Sequence, residues 1–239
     1  MGAKKICTRM IPLLLLVSLC GCVGEQSDND LTLQLRADFL SREGCSGSMD
    51  LTADYGQRVY EYTVEFSGTK KDGTTMVITA PEEVAGITAQ IAEGQTFLEY
   101  DGVQLETGPL NGDGLSPLDA LPAFLTAMES GYIAETGSEM LGETEVLRIC
   151  CRDPELDPGQ GLETVLWFDK AQKTLLQGEV RSDGTTVIRC EFSAFILQQS
   201  TTEKGSNQNE STNETQLEQP GQNLDEENLG GSVHGSPGA

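Results

Sequence analysis

The stretch Val59-Tyr60-Glu61-Tyr62-Thr63-Val64-Glu65-Phe66 places Tyr60, Tyr62, Val64 and Phe66 on even positions, with Glu61 and Glu65 between them. Side chains along a strand point to opposite faces in turn, so this spacing predicts a β-strand with one apolar and one wetted face. Lys71-Asp72-Gly73-Thr74 then reads as a hairpin turn into a returning strand at 75–80. The same texture continues through 87–92, 96–101 and 103–106, where Asp101-Gly102 makes another turn. It returns in 143–151, 163–168, 174–181 and 185–196, with Ser182-Asp183-Gly184 as a further hairpin turn. The last of these strands sets Ile188, Cys190 and Phe192 on one face and Arg189 and Glu191 on the other. Strands joined by short turns predict a meandering antiparallel sheet, and a sheet with one apolar face needs a cover.

Two helices are the available covers. In residues 30–40, Leu31, Leu35, Phe39 and Leu40 recur at helical spacing behind Asp30, which can cap. Ser116-Pro117-Leu118-Asp119 opens a second apolar-periodic stretch ending near Gly131, with Ser116 as the expected N-cap, Pro117 in the first turn and a kink at Pro122. The fold class is therefore α+β. All thirteen aromatic residues fall between Phe39 and Phe195, which predicts one domain over 31–197. After it, residues 198–239 carry seven acids, one lysine and no aromatic side chain. Such a segment buries too little apolar surface to offset its ordering entropy, which predicts a disordered acidic tail.

The N-terminus supplies an address. Lys4, Lys5 and Arg9 precede a short apolar run, 10–19, and Leu19-Cys20-Gly21-Cys22 closes it in the form of a bacterial lipobox. The run is roughly half of the about 20 apolar residues that a spanning helix needs, and Pro12 interrupts it. Residues 1–21 are thus expected to be a lipoprotein signal peptide, and Cys22 the lipidated first residue of the mature chain. Residues 22–30 form the expected tether. One acyl chain gives marginal membrane binding, whereas two or three palmitate-like chains give a stable anchor. The expected location is the extracytoplasmic face of the bacterial cell membrane.

Charge narrows the partners. The chain has 15 basic and 38 acidic residues, and the leader takes three of the basic ones, leaving 12 against 38. That field has the wrong sign for nucleic acid and for anionic headgroups, so membrane attachment must come from the lipid on Cys22. Of seven cysteines, Cys45, Cys150, Cys151 and Cys190 belong to the domain, and four cysteines allow three pairings. Consecutive Cys150 and Cys151 point to opposite faces of a strand and are not expected to bond each other.

Hardware for catalysis is sparse. The one histidine, His234, lies in the tail, so the domain lacks the usual proton shuttle and zinc ligand, and no metal or cofactor is expected. There is no Gly-x-Ser-x-Gly elbow and no Walker loop. Glu82 with Glu83, or Glu143 with Glu145, could serve a carboxylate-based glycan hydrolase, but 28 acids lie between 31 and 197 and such pairs arise by chance. Asn111-Gly112-Asp113-Gly114 reads as a tight turn before the second helix; the other ligands of a calcium loop are missing.

Tyr60-Glu61-Tyr62, Ala80-Pro81-Glu82-Glu83-Val84-Ala85-Gly86-Ile87, Leu98-Glu99-Tyr100-Asp101-Gly102 and Leu115-Ser116-Pro117 together resemble the LolA-like lipoprotein-carrier superfamily. The texture is that of its clostridial-type lipoproteins, which include germination-associated lipoproteins. The resemblance spans about 31–197. It implies a strongly curved, incomplete β-barrel closed by the N-terminal and central helices, with an apolar cavity for acyl chains or a partner segment and without catalysis. Tyr60, Tyr62, Phe66, Phe97, Trp167 and Phe168 are the expected lining. The leading expectation is a membrane-anchored, non-enzymatic protein binding an apolar ligand or an envelope protein. The alternative is an accessory protein that docks and regulates a cell-envelope or spore-cortex enzyme, with a glycan hydrolase third.

Overall fold

A computed structural model describes residues 27–92, 95–110 and 112–199. The signal peptide, Cys22, His234 and nearly all of the expected tail lie outside the described residues. The chain opens with α1 (Asp28–Ser41), continues through β1 (Arg42–Asp54), β2 (Val59–Thr69), β3 (Gly73–Ala80), β4 (Thr88–Ala92), β5 (Gln95–Tyr100) and β6 (Val103–Glu106), and reaches α2 (Ala120–Ser130). It then adds β7 (Ile133–Leu141), β8 (Thr144–Arg152), β9 (Leu162–Asp169), β10 (Leu175–Ser182) and β11 (Thr185–Gln199). All eleven strands form one antiparallel sheet in the order β6-β5-β4-β3-β2-β1-β11-β10-β9-β8-β7. The sheet does not close, because β6 and β7 are its edges; with its two helices it is an α+β incomplete barrel.

The strand that joins the two halves is β1, which pairs with β2 from Gly44↔Thr69 to Asp54↔Val59 and with β11 from Arg42↔Gln199 to Ala53↔Ile188. Register shifts between Ser48 and Met49, Thr63 and Val64, and Val180 and Arg181 mark bulges, which sharpen twist and bend a sheet. Gly47 is required there: a β-carbon on it would run into the Ala194 carbonyl oxygen and come 2.9 Å from the Phe66 ring.

One face of the sheet and both helices share the core. Leu31, Leu35 and Phe39 of α1 are buried, and so are Leu121, Phe124 and Met128 of α2. A connected set of aromatic rings ties the elements together. Phe39 meets Phe168 edge-on at 5.8 Å and stacks on Phe195 at 6.0 Å, Phe66 meets Phe192 and Phe195 at 6.0 Å, and Phe124 meets Phe192 at 6.3 Å. These contacts link α1, α2, β2, β9 and β11. Gly178 makes room for Phe124, whose ring would stand 2.6 Å from an added β-carbon.

Several local expectations are corrected. The cap of α1 is Ser27 rather than Asp30: its Oγ accepts from the Asp30 N–H at 3.2 Å and donates to the Asp30 carboxylate at 2.7 Å. The helix thus takes in residues 28–30 of the expected tether, and Leu40 is exposed. Ser116 holds the Asp119 N–H in a turn, and α2 begins at Ala120 with Asp119 as its cap residue. Pro122 then falls in the first helical turn, where its missing N–H has no partner to lose, so it does not break α2. Strands β1 and β7 are additional to those read from the alternation, and β11 extends two residues past the expected domain boundary.

Phe124→Ala should lower the unfolding free energy by about 3–5 kcal/mol in urea titrations, because it empties the fully buried site where α2 packs on Phe192 and Gly178. Leu33→Ala, on the exposed side of α1, should change it by less than about 0.5 kcal/mol.

Candidate functional site

The expected cavity lining separates into three groups. Phe66 and Phe168 point inward but are fully packed core residues. Phe97 and Trp167 correct the expectation, because they lie on the other face of the sheet. Leu98, beside Phe97, packs on the core, as do Leu166 and Phe168 on either side of Trp167, and alternation turns the residue between them outward. Trp167 is only 5% exposed, packed with Val146, Cys150 and Val165, with its indole N–H donated to Glu139 and the Arg181 guanidinium 5.9 Å from its ring centre. Long polar side chains cover this outer face, which is why an outward tryptophan is buried.

Tyr60 and Tyr62 remain at the hollow. Both sit where the inner face opens at the β1–β2 hairpin, in register with Ala53 and Leu51. Their rings lie 6.5 Å apart and nearly parallel, at 3°. Tyr55, which sequence reasoning missed because it lies outside the alternating run, extends the row at 6.1 Å from Tyr60 and donates its hydroxyl to the Leu115 carbonyl at 3.0 Å. Behind Tyr62 the hollow narrows to an apolar cavity of about 30 Å³, which Val64, Met76, Ile78, Pro117 and Leu118 help to line. A larger groove, about 960 Å³, opens elsewhere, between α1 and the start of β7, with Leu33, Arg36, Tyr132 and Glu135 among its walls. Arg36 donates to the carbonyls of Met128 and Gly131, which ties α1 to the end of α2.

Acidic groups in the domain are held in distinct ways. Glu179, 3% exposed on its side chain, accepts from Arg181 at 2.6 and 2.8 Å, from Arg189 at 2.9 Å and from Thr186 at 3.1 Å. Burial pushes its carboxyl up, but the Arg181 hydrogen bonds and charge, with Arg189 and Thr186, bring it below the usual range. A carboxylate so fully occupied is a structural anchor. Glu82 and Glu83 stand exposed on the turn after β3, and Glu145 pairs with Lys170 at 2.8 Å. Among the described residues no three metal-ligating side chains converge. Asp119 differs, being 2% exposed with one carboxylate oxygen lacking a hydrogen-bond partner. Burial, with Asp113 nearby, raises its pKa against the hydrogen bond from Ser116.

Cys45, Cys150, Cys151 and Cys190 are unpaired and buried. Cys151 joins the inner core and Cys150 the outer cluster, the opposite faces their adjacency implies. Burial pushes the Cys151 thiol up to about 11 and raises Cys190 as well.

The molecule also has two unlike ends. Asp28 lies against Ser138 at 2.7 Å and Lys170 at 3.3 Å, and Gln199 lies against Ser41 at 2.8 Å, so both flanks of the domain emerge at the end carrying the β7–β8 and β9–β10 turns. The tyrosine row occupies the opposite end. No helix among the described residues is long and apolar enough to cross a membrane.

No family model matches the chain, and no curated protein matches it. Solved structures similar to it include a LolA superfamily protein from Nitrosomonas europaea, at 9% identity over 73% of this chain and 94% of that one, with a TM-score of 0.37. A chain from the complex of the CwlD amidase with the GerS lipoprotein of Clostridioides difficile is similar at 11% identity over 72% and 96%, with a TM-score of 0.38. The lipoprotein LppX of Mycobacterium tuberculosis is similar at 13% identity over 71% and 96%, with a TM-score of 0.37.

Two outcomes follow from the buried groups. Because the folded carboxyl of Asp119 binds its proton more readily than the unfolded one, ionisation opposes folding as pH rises through the carboxylate range. Asp119→Asn should therefore add about 1 kcal/mol at pH 7, an advantage that shrinks in urea titrations run towards pH 3. With Ellman's reagent at pH 8, the four domain thiols should stay silent in the folded protein and all react in denaturant.

Proposed function

We propose that the chain is a bacterial lipoprotein, held at the extracytoplasmic face of the membrane by acyl chains on Cys22, whose LolA-like half-barrel works by binding an envelope protein without catalysing a reaction. The observation that carries this reading is the filled inner face. A site for a small apolar ligand typically offers about 300–1,000 Å³, whereas the apolar cavity beneath Pro117 and Leu118 measures about 30 Å³. That volume suits one or two methylene groups, far short of an acyl chain. The open groove beside β7 mixes Arg36 and Glu135 with Leu33 and Tyr132, a lining matched to polypeptide rather than to hydrocarbon.

Native mass spectrometry of the protein purified in mild detergent tests the choice of ligand class. The expected spectrum contains the lipidated chain alone or with a protein partner; a stoichiometric apolar ligand that survives removal of the anchor would overturn the reading. Cys22→Ser should abolish incorporation of labelled palmitate and release the protein from the membrane fraction, while the unfolding midpoint of the domain stays unchanged.

A further inference from the structure

We infer that the tyrosine row at the β1–β2 end is the docking surface for a lysine- or arginine-bearing segment of the partner protein. This inference rests on the protein-binding role proposed above and specifies where and with what chemistry it operates.

Tyr55 is 46% exposed, Val59 55% and Tyr60 38%, an unusual concentration of large side chains in so short a hairpin. Yet the row is not loose. Tyr55 is fixed by its hydroxyl to the Leu115 carbonyl, Tyr60 meets Tyr55 edge-on and lies parallel to Tyr62, and Tyr62 lines the apolar cavity with Pro117 and Leu118. Rigid aromatic side chains lose little entropy on binding and recur as anchors of protein interfaces. Their faces attract the cationic heads of Lys and Arg, more strongly as water is excluded.

Charge around the row points the same way. Asp54 and Asp113 flank it, and Arg58 is the one basic residue of the hairpin. None of these three joins an ion pair among the described residues. Asp54 and Asp113 instead accept from backbone, the Gly56 N–H at 2.7 Å and the Leu115 N–H at 2.9 Å. At the other end of the molecule three basic residues are held in ion pairs: Arg42 and Lys70 with Glu129, and Lys170 with Asp28 and Glu145. The tyrosine end thus combines exposed aromatic faces with acidic charge that the fold itself does not neutralise. Tyr55 registers that field, since burial, the neighbouring tyrosines, Asp113 and Asp119 all raise the pKa of its hydroxyl.

Position completes the argument. Both flanks of the domain leave at one end, and a 13-residue strand rising about 3.3 Å per residue sets the hairpin roughly 40 Å away. A domain tethered through its N-terminal flank therefore presents this surface away from the bilayer, where an envelope protein can reach it and lipid cannot.

Photo-crosslinking in the producing cells tests this directly, with p-benzoylphenylalanine placed at Tyr60 or, as a comparison, at Tyr132 of the groove in the full-length lipoprotein. The expected product at position 60 joins a protein segment with Lys or Arg within a few residues of the crosslink, and Asp113→Asn in the same chain, which removes the charge but keeps an oxygen for the Leu115 N–H, lowers its yield about threefold. A crosslink at position 60 to lipid, to a second copy of this chain or to a segment without basic residues overturns the inference, as does a yield indifferent to Asp113→Asn. Products from position 132 alone would overturn this surface while leaving the protein-binding role intact; products from neither would count against both. Both positions are exposed, and an unchanged thermal midpoint of each variant verifies that the fold is kept.

Discussion

The pairing of β1 with β11 is the constraint on which the rest of this structure depends. It joins the first strand to the last, in register from Arg42↔Gln199 to Ala53↔Ile188, and so converts two consecutive meanders into one sheet. The wing β2–β6 hangs from one side of β1, and β10 to β7 extend from the far side of β11. Closing so long a loop costs conformational entropy that only burial can offset. The offset comes from the aromatic set on the inner face, where Phe192 and Phe195 of β11 meet Phe39 of α1, Phe66 of β2 and Phe124 of α2. Small residues on β1 make the approach possible: where Phe66 and the Ala194 carbonyl converge, only Gly47 fits.

This arrangement explains what could be read from the chain and what could not. Strands β2 and β11 were legible because they sit where one face is core and the other is water, and the turns Asp101-Gly102 and Ser182-Asp183-Gly184 carry the positive φ that their glycines permit. Strand β1 hid behind Gly44, Ser46, Gly47 and Ser48, residues chosen for close approach rather than for β-propensity. Strand β7 is an edge with little to bury, so its alternation is weak; Gly142, at φ +61° between β7 and β8, was the available signal. At the candidate site, Tyr60 and Tyr62 were legible from parity. Trp167 was not, because both faces of β9 are covered: in Val165-Leu166-Trp167-Phe168 every residue is buried, and apolar character no longer tells inside from outside. Phe97, in β5, stands next to the equally apolar Leu98, so parity alone could not choose between them.

The proposed function follows from the packing of the core. A half-barrel of this shape is a natural container, but here α2 and the segment before it, with Pro117 and Leu118, occupy the hollow. What the fold leaves available is its surface, and that surface is polarised. One end gathers the chain flanks and holds Arg42, Lys70 and Lys170 in internal ion pairs; the other displays Tyr55 and Tyr60 beside Asp54 and Asp113. Under the proposed lipidation of Cys22, the anchor would orient the domain as well as locate it.

Hydrogen exchange on the full-length chain, read segment by segment by mass spectrometry, tests most directly whether the hollow is permanently filled. The account predicts that α2 and residues 112–119 exchange together with β1 and β11, in the single cooperative unfolding of the domain. Release of α2 and that segment at a much lower free energy, while β1 and β11 stay protected, would mean that the hollow opens in the native state and would contradict it.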